Sequence, residues 1–193
     1  MNSIVTLQGA TPYTVLDGVL SGDDISLTSE FADRWDFFGN PNDFRAIPAG
    51  ITFFSADSNP ACAAKASTPD LLASLQTYGC YAMGNSVMIP PAVGTFGTMG
   101  RNLFRGPRFY DWDFSLVKDT RLTERVRLQF RAEFFNILNH PQFASPASST
   151  LFNEDPSVSG FGASNATPDV AAANPVIGTG GPRNIQLGLK FIF

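Results

Sequence analysis

The sequence predicts an all-β protein built of antiparallel transmembrane β-strands, and three observations carry that prediction. Apolar and polar residues alternate in three segments, 109–118, 126–136 and 183–193, as is typical of strands with two different faces. Long segments without periodicity lie before the first of these strands and between the second and the third. Of the 193 residues, 12% are aromatic and only 16% are charged, with 17 Gly and 14 Pro. This composition excludes coiled coils, helical bundles and charged disordered chains.

Two of the strands are predicted to form an antiparallel hairpin. Their apolar positions are Tyr110, Trp112, Phe114 and Leu116, then Val126, Leu128, Phe130, Ala132 and Phe134. On the opposite face we expect a ladder of charges along a barrel lumen, made of Asp111, Asp113, Arg127, Arg131 and Glu133. One hairpin register places Asp113 across from Arg131. A soluble β-sandwich would show the same alternation, so both architectures stay open at this point.

The chain closes on a strand of about ten residues, long enough to cross ~30 Å of hydrocarbon. Its apolar positions are Ile185, Leu187, Leu189, Phe191 and Phe193. A fourth strand is predicted over 2–9, where Val5 and Leu7 share a face and Ile4 interrupts the alternation.

External loops are predicted over about 17–108 and 137–182, which are rich in Gly, Pro, Asn and Asp. Loops of this length count against a compact soluble domain. They are expected in an outer-membrane barrel, which has short turns on one side and long loops on the other. The turn at 118–125 is then expected to face the periplasm.

One short helix is predicted inside the first loop. Thr68 provides an N-cap, Pro69 occupies the first helical position, Asp70 follows, and Gly79 ends the helix.

Cys62 and Cys80 lie in the same loop and form a candidate disulfide, which would need an oxidising compartment. Two free thiols in a reducing compartment are the alternative. A zinc site is not expected, because no further Cys and no His lies nearby.

Charge and hydropathy narrow the class of protein further. The net charge of −4 argues against a nucleic-acid binder, and no apolar run is long enough for a transmembrane helix. The first residues do not form a recognisable signal peptide.

Arg101, Arg105 and Arg108 alternate with aromatic residues. Stacking on nucleic acid is conceivable there, but we favour an arginine group at the external end that meets anionic lipid headgroups or lumen acids.

No catalytic or metal site and no cofactor is predicted. His140 lacks a neighbouring nucleophile or acid and is interpreted as a turn residue rather than a general base. Asp23 and Asp24 could bind a hard cation, although a solvated acidic loop is the simpler interpretation. The glycines of 94–100 lack the Lys-Ser/Thr of a phosphate-binding loop and are interpreted as turn residues. The chain is therefore not expected to be an enzyme.

Two blocks resemble the C-terminus of an Oar-like TonB-dependent transporter, an outer-membrane receptor with a carboxypeptidase-regulatory-like domain. They are GTFGTMGRNLFRGPRFYDWDFSLVKDTRLTERVRLQFRAEFFNILNHPQF (94–143) and the ending GPRNIQLGLKFIF (181–193). Shorter segments that fit the same family are 11–15, 34–44, 79–91 and 166–176.

The resemblance implies a location in the cell outer membrane and a 22-stranded barrel that takes up ligands. Its implied partners are the TonB system, contacted through a missing N-terminal part, the barrel-assembly machinery and outer-membrane lipid. Phe191 and Phe193 resemble the signal that this machinery recognises. Aromatic residues of the first loop, such as those at 35–38, could contact ligand or pack on one another.

The chain departs from this family pattern because it shows no plug, no TonB box and about four strands. Even the smallest barrels need eight strands. We therefore expect residues 1–193 to be the C-terminal portion of the transporter barrel, a fragment that does not transport ligand alone. The alternative is a secreted or periplasmic soluble β-domain that binds a partner.

Overall fold

The computed structural model describes residues 1–17, 24–29, 33–45, 49–56, 58–146, 161–164, 166–171 and 180–193. The chain divides into two compact units. The first comprises Met1–Gly9, Arg108–Phe143 and Thr167–Phe193, and the second comprises Ala10–Pro107 and Ala144–Ala166. Among the described residues, no helix has the length and hydropathy needed to cross a membrane.

In chain order, the elements are β1 (Asn2–Gln8), β2 (Pro12–Tyr13), β3 (Asp36–Phe38), β4 (Phe53–Phe54), α1 (Pro60–Ala63), α2 (Pro69–Tyr78), β5 (Cys80–Met83), β6 (Ser86–Ile89), β7 (Phe104–Arg105), β8 (Phe109–Arg121), β9 (Arg127–Phe135), α3 (Pro168–Ala171) and β10 (Asn184–Ile192). The first unit holds a four-stranded antiparallel sheet in the order β1-β8-β9-β10. These are the four strands that the alternation predicts. The largest difference at a strand end is the continuation of β8 to Arg121.

The β8–β9 hairpin has a different register from the expected one. Val117 lies opposite Arg131, so the pairing of Asp113 with Arg131 is wrong. The reason is that the ladder continues past Val117, where the Gln129 side chain donates a hydrogen bond of 2.9 Å to Asp119. The turn therefore shortens to 122–126 and is closed by a 3.0 Å hydrogen bond from the Leu122 N–H to the Val126 carbonyl.

The second unit contains strands that were not predicted in the first loop, where the sequence predicts one short helix. It contains the antiparallel sheet β3-β6-β5-β4 and the pair β2-β7. Its core is aromatic, with Trp35, Phe44, Phe104 and Phe161 almost fully buried. Its strands are two to four residues long, too short to show alternation in sequence. In the second predicted loop, 147–160, 165 and 172–179 lie outside the described residues.

Helix α2 confirms the predicted helix and its caps. The Thr68 hydroxyl accepts a hydrogen bond from the Leu71 N–H, Pro69 is the first helical residue, and Gly79 ends the helix at φ 76°. A Cβ on Gly79 would lie 2.6 Å from the Phe53 ring and from the Phe54 carbonyl oxygen, so both backbone conformation and space require glycine. The shorter helix α1 was not predicted. Asn59 caps it by accepting hydrogen bonds from two backbone N–H groups.

Candidate functional site

One face of the four-stranded sheet is largely apolar, with Ser3, Lys118 and Thr120 as its polar positions on β1 and β8. We call it the apolar face, and the strand registers place on it Val5, Leu7, Tyr110, Trp112, Phe114, Leu116, Leu128, Phe130, Ala132, Phe134, Ile185, Leu187, Leu189 and Phe191. Much of it is uncovered: Leu7 is 78% exposed and Leu187 is 66% exposed. Soluble proteins rarely leave so large a continuous apolar surface in water. A lipid bilayer covers such a surface.

Contacts within the apolar face order its side chains. The Phe114 and Phe134 rings lie 6.3 Å apart across the hairpin. The indole Nε1 of Trp112 donates a hydrogen bond of 2.7 Å to the Ser3 hydroxyl on the neighbouring strand. Because an unpaired N–H is costly in hydrocarbon, Ser3 makes this position compatible with lipid.

The opposite face carries all five residues of the predicted charge ladder. Asp111, Asp113, Arg127, Arg131 and Glu133 occupy alternate positions of β8 and β9 that point away from the apolar face. The register does not align them as pairs between the strands. Arg131 instead forms an ion pair of 2.6 Å with Glu133, two positions along its own strand.

The other members of the ladder have different neighbours. Asp113 accepts a hydrogen bond of 3.0 Å from the Asn136 backbone N–H. Asp111 is buried and accepts one from the Trp112 N–H. Arg127 lies opposite Arg121 beside the short turn, and like charges in this arrangement repel. This face therefore carries charges along the whole hairpin: Asp111, Asp113 and Glu133 lie toward one end, and Arg121 and Arg127 lie beside the short turn, next to Asp119.

The acidic end of the sheet holds a hydrogen-bonded cluster that the sequence analysis missed. We call it the polar corner, and it comprises 136–142 together with 180–183. The Asn136 side chain is buried, donates to the carbonyls of His140 (2.9 Å) and Gly181 (2.8 Å), and accepts from the His140 N–H. Asn136 has φ 50°, a conformation that asparagine tolerates better than most residues. It therefore joins the end of β9 to the approach to β10.

Gln142 completes the polar corner. Its side chain is buried and accepts a hydrogen bond of 3.1 Å from the Tyr110 N–H. Its own backbone N–H donates to the Gly180 carbonyl at 2.8 Å. The His140 ring lies against the Tyr110 ring, with centroids 4.4 Å apart, and its Nδ1 is 2.9 Å from Gln142 Nε2. His140 thus lies in the connection after β9, where its ring contacts Tyr110 and Gln142.

The remaining predicted residues lie elsewhere. Cys62 and Cys80 are fully buried and joined in a disulfide that links α1 to β5. Phe191 lies on the apolar face, and Phe193 follows β10 with 92% of its surface exposed. In the described part of the chain, no three His, Cys, Asp or Glu side chains converge as a metal site would require.

Asp24 organises a turn of the second unit, while Asp23 lies outside the described residues. The Asp24 carboxylate accepts hydrogen bonds from the N–H groups of Thr28 and Ser29 and from the Ser26 hydroxyl. Desolvation alone would raise the pKa of Asp24, but the hydrogen bonds outweigh it and hold the pKa below its usual value. The Asp24 carboxylate therefore stabilises the turn of its own loop through these hydrogen bonds.

The aromatic residues at 35–38 pack internally. Trp35 is 1% exposed, and the Phe37 ring meets the Phe44 and Phe104 rings edge-on at 5.1 and 5.2 Å. More exposed aromatic surface on the second unit comes from Phe53 and Phe96.

The chain matches the family model described as an outer membrane beta barrel domain over residues 1–186. This range covers β1, β8 and β9 and the start of β10. No curated protein and no solved structure matches the chain.

Proposed function

Because this chain belongs to the outer membrane beta barrel domain family and is an outer-membrane protein, we propose that it is the C-terminal part of an Oar-like TonB-dependent transporter. Its function is then a share in ligand uptake across the outer membrane. The resemblance of 94–143 and 181–193 to that family supports the proposal. The observation that carries it is the four-stranded sheet, apolar on one face and charged on the other.

The strand lengths support this role. Strands β8, β9 and β10 have 13, 9 and 9 residues, and a tilted strand needs about 9–11 residues to cross the hydrocarbon. The apolar face then meets lipid, and the face with Asp111, Asp113, Arg127, Arg131 and Glu133 lines the barrel interior. Interiors of large barrels are polar and are filled by water or a plug, so they can hold charged side chains.

The topology supports one orientation of the sheet in the membrane. The connection between β1 and β8, which leads through the second unit, and the connection between β9 and β10 leave the sheet at the same end. The short turn 122–126 lies at the other end. Outer-membrane barrels have short turns in the periplasm and long loops outside. In the proposed orientation, the connection from β1 to β8 and the connection from β9 to β10 are the external loops.

Transport requires more strands than these four. Within the described residues, β1 and β10 each pair on one side only. An unpaired strand edge in lipid leaves backbone groups unsatisfied at several kcal/mol each. The barrel is therefore completed by further strands, and the chain does not transport ligand alone. Its partners are the TonB system, through a part other than these strands, outer-membrane lipid, and the barrel-assembly machinery acting at Phe191 and Phe193.

The alternative of a soluble partner-binding domain loses its support with the family membership. A catalytic role is not proposed either, since His140 contacts Tyr110 and Gln142 rather than a nucleophile. An activity that is lost on changing His140→Ala, while the fold is kept, would overturn this part of the proposal.

The in-frame DNA upstream of Met1 tests the transporter assignment. The proposal predicts an open frame that encodes further strands, a plug and a TonB-contacting segment. Deleting that segment should abolish energy-dependent uptake while the barrel still assembles in the outer membrane. A stop codon shortly before Met1, in a gene that is expressed as this chain alone, would contradict the proposal.

A further inference from the structure

The face of the sheet opposite the apolar face carries a group of cations beside the short turn. Arg121 on β8 lies directly opposite Arg127 on β9. One row further along, Lys190 on β10 lies opposite Gln129, which places it on the same face as the two arginines. Directly opposite side chains have Cβ atoms about 5 Å apart, and diagonal neighbours lie about 7–8 Å apart. The three cations of three adjacent strands therefore border one small region, which we call the cationic patch.

The carboxylates nearest to the cationic patch are occupied by other groups. Asp119 accepts a hydrogen bond of 2.9 Å from the Gln129 side chain. Glu133 forms its ion pair of 2.6 Å with Arg131. In the part of the chain that the structure describes, no carboxylate lies within ion-pair distance of any member of the cationic patch. The positive charge of the patch is therefore not neutralised by contacts within the sheet.

The surface around the cationic patch is open. All three of its side chains are exposed. Gly188 lies on the same face, two positions before Lys190. A Cβ on Gly188 would meet only the Arg131 Cβ, at 3.8 Å, so the sheet leaves free space beside the patch. A ligand can therefore approach the three cations without displacing a side chain of the sheet.

The charge and the shape of the patch select an oxyanion. Like charges directly opposite each other destabilise a strand pair, and an anion between Arg121 and Arg127 relieves that repulsion. The planar guanidinium group matches phosphate and carboxylate oxygens in a bidentate manner, and the lysine ammonium group adds a point charge. A neutral or cationic ligand would leave the repulsion as it is. The patch therefore suits a ligand with more than one negative charge.

We propose that the cationic patch is a binding site for a multivalent oxyanion, and that in the assembled barrel it takes the phosphate or carboxylate groups of the ligand during uptake. This inference rests on the proposed function, because only that function turns this face toward the barrel interior and its short turn toward the periplasm. The patch then holds the anionic groups of the ligand at the periplasmic end of the strands.

Pyrophosphate is the probe that tests the site, titrated into the purified full chain in detergent and followed by calorimetry at low ionic strength. We expect binding that weakens as sodium chloride is added. Arg121→Gln with Arg127→Gln should weaken it about tenfold or more, as expected for the loss of charge-assisted hydrogen bonds. Arg45→Gln with Arg105→Gln changes the same number of charges at exposed positions of the second unit. This control pair should leave binding unchanged.

Thermal unfolding gives a second readout that separates lost binding from lost folding. Pyrophosphate should raise the melting temperature of the parent protein, because it binds the folded sheet. It should not raise the melting temperature of the double variant at Arg121 and Arg127. Without pyrophosphate, Arg127→Gln alone should melt above the parent, since the variant removes the repulsion with Arg121. A lower melting temperature of this variant would show that Arg127 has a partner in the sheet, and would overturn the inference.

Three further outcomes would overturn the inference: no binding of pyrophosphate by the parent, equal binding by the double variant, or an equal loss in the control pair. A protein that is found in the outer membrane but does not bind pyrophosphate refutes only this inference. A protein that is absent from the outer membrane refutes the proposed function itself, whatever it binds.

Discussion

Trp112 and Ser3 form a hydrogen bond of 2.7 Å between the indole Nε1 and the hydroxyl, across the β1–β8 pair. The two residues are 109 positions apart in the chain, with the second unit inserted between their strands. The contact lies on the apolar face, so it ties β1 to β8 on the surface that we assign to lipid.

Replacing Ser3 tests this contact. Ser3→Ala leaves the Trp112 N–H without its partner in an apolar environment, which should lower the free energy of unfolding by about 1–3 kcal/mol. The shift between unheated and heated samples on a gel, followed against temperature, measures the effect. Ser3→Thr keeps a hydroxyl and serves as the control. Unchanged melting of Ser3→Ala would show that the bond does not stabilise the β1–β8 pair.

Asn136 is expected to be the most sensitive residue of the polar corner. Asn136→Ala removes three side-chain hydrogen bonds, each contributing about 1 kcal/mol, and places alanine at φ 50°. The variant should unfold at a clearly lower denaturant concentration. Asn136→Gly keeps the backbone conformation and isolates the loss of the side chain. If the glycine variant is as stable as the parent, the side-chain bonds do not hold the corner together.

The disulfide between Cys62 and Cys80 should stabilise the second unit selectively. The bond closes a segment with a sequence separation of 18, for which the chain-entropy model gives about 3 kcal/mol. Cys62→Ser with Cys80→Ser should make the second unit sensitive to protease while the strands of the first unit stay protected. Fragments mapped by mass spectrometry measure this. Equal protection of the second unit in both proteins would refute the prediction.

The turn around Asp24 should depend on acid pH. Because hydrogen bonds hold the folded pKa of Asp24 below its usual value, the stability that the carboxylate contributes is fully present above that usual value and is lost as the pH falls through the lower, folded pKa. The protection of the Thr28 and Ser29 amides against hydrogen exchange, measured relative to the intrinsic exchange rate at each pH, should therefore stay constant down to the usual pKa of an aspartate and fall only below it. Asp24→Asn should remove this pH dependence. Exchange that already accelerates between pH 6 and 4 would contradict the assignment.

Sequence periodicity predicts the four strands of the first unit, because each strand exposes two chemically different faces over seven residues or more. It does not predict the register. Lys118 and Thr120 continue the strand on the apolar side, yet their polarity suggests a turn, so the hairpin bend was expected too early. The five charged residues therefore share one face of the hairpin, as the alternation predicts, but Asp113 does not lie opposite Arg131.

Sequence periodicity does not predict the polar corner or the strands of the second unit. Asn136 meets Gly181, 45 positions away, and a local pattern does not reveal which distant backbone an asparagine bonds to. The second unit consists of very short strands around an aromatic core, so alternation never becomes visible. Helix α2 could be predicted because Thr68, Pro69 and Gly79 act locally. Even the disulfide was a candidate, since the two cysteines allow only one intramolecular pairing.

The central claim is that one face of the sheet lies in lipid while the other does not. Single spin labels at successive positions of β10, from Ile185 to Lys190, test it in the protein reconstituted into bilayers. We predict a period of two: labels at Ile185, Leu187 and Leu189 should be accessible to oxygen dissolved in lipid, and labels at Gln186 and Lys190 to a water-soluble relaxation agent. Uniform accessibility to the water-soluble agent, with no alternation, would contradict a membrane-spanning sheet.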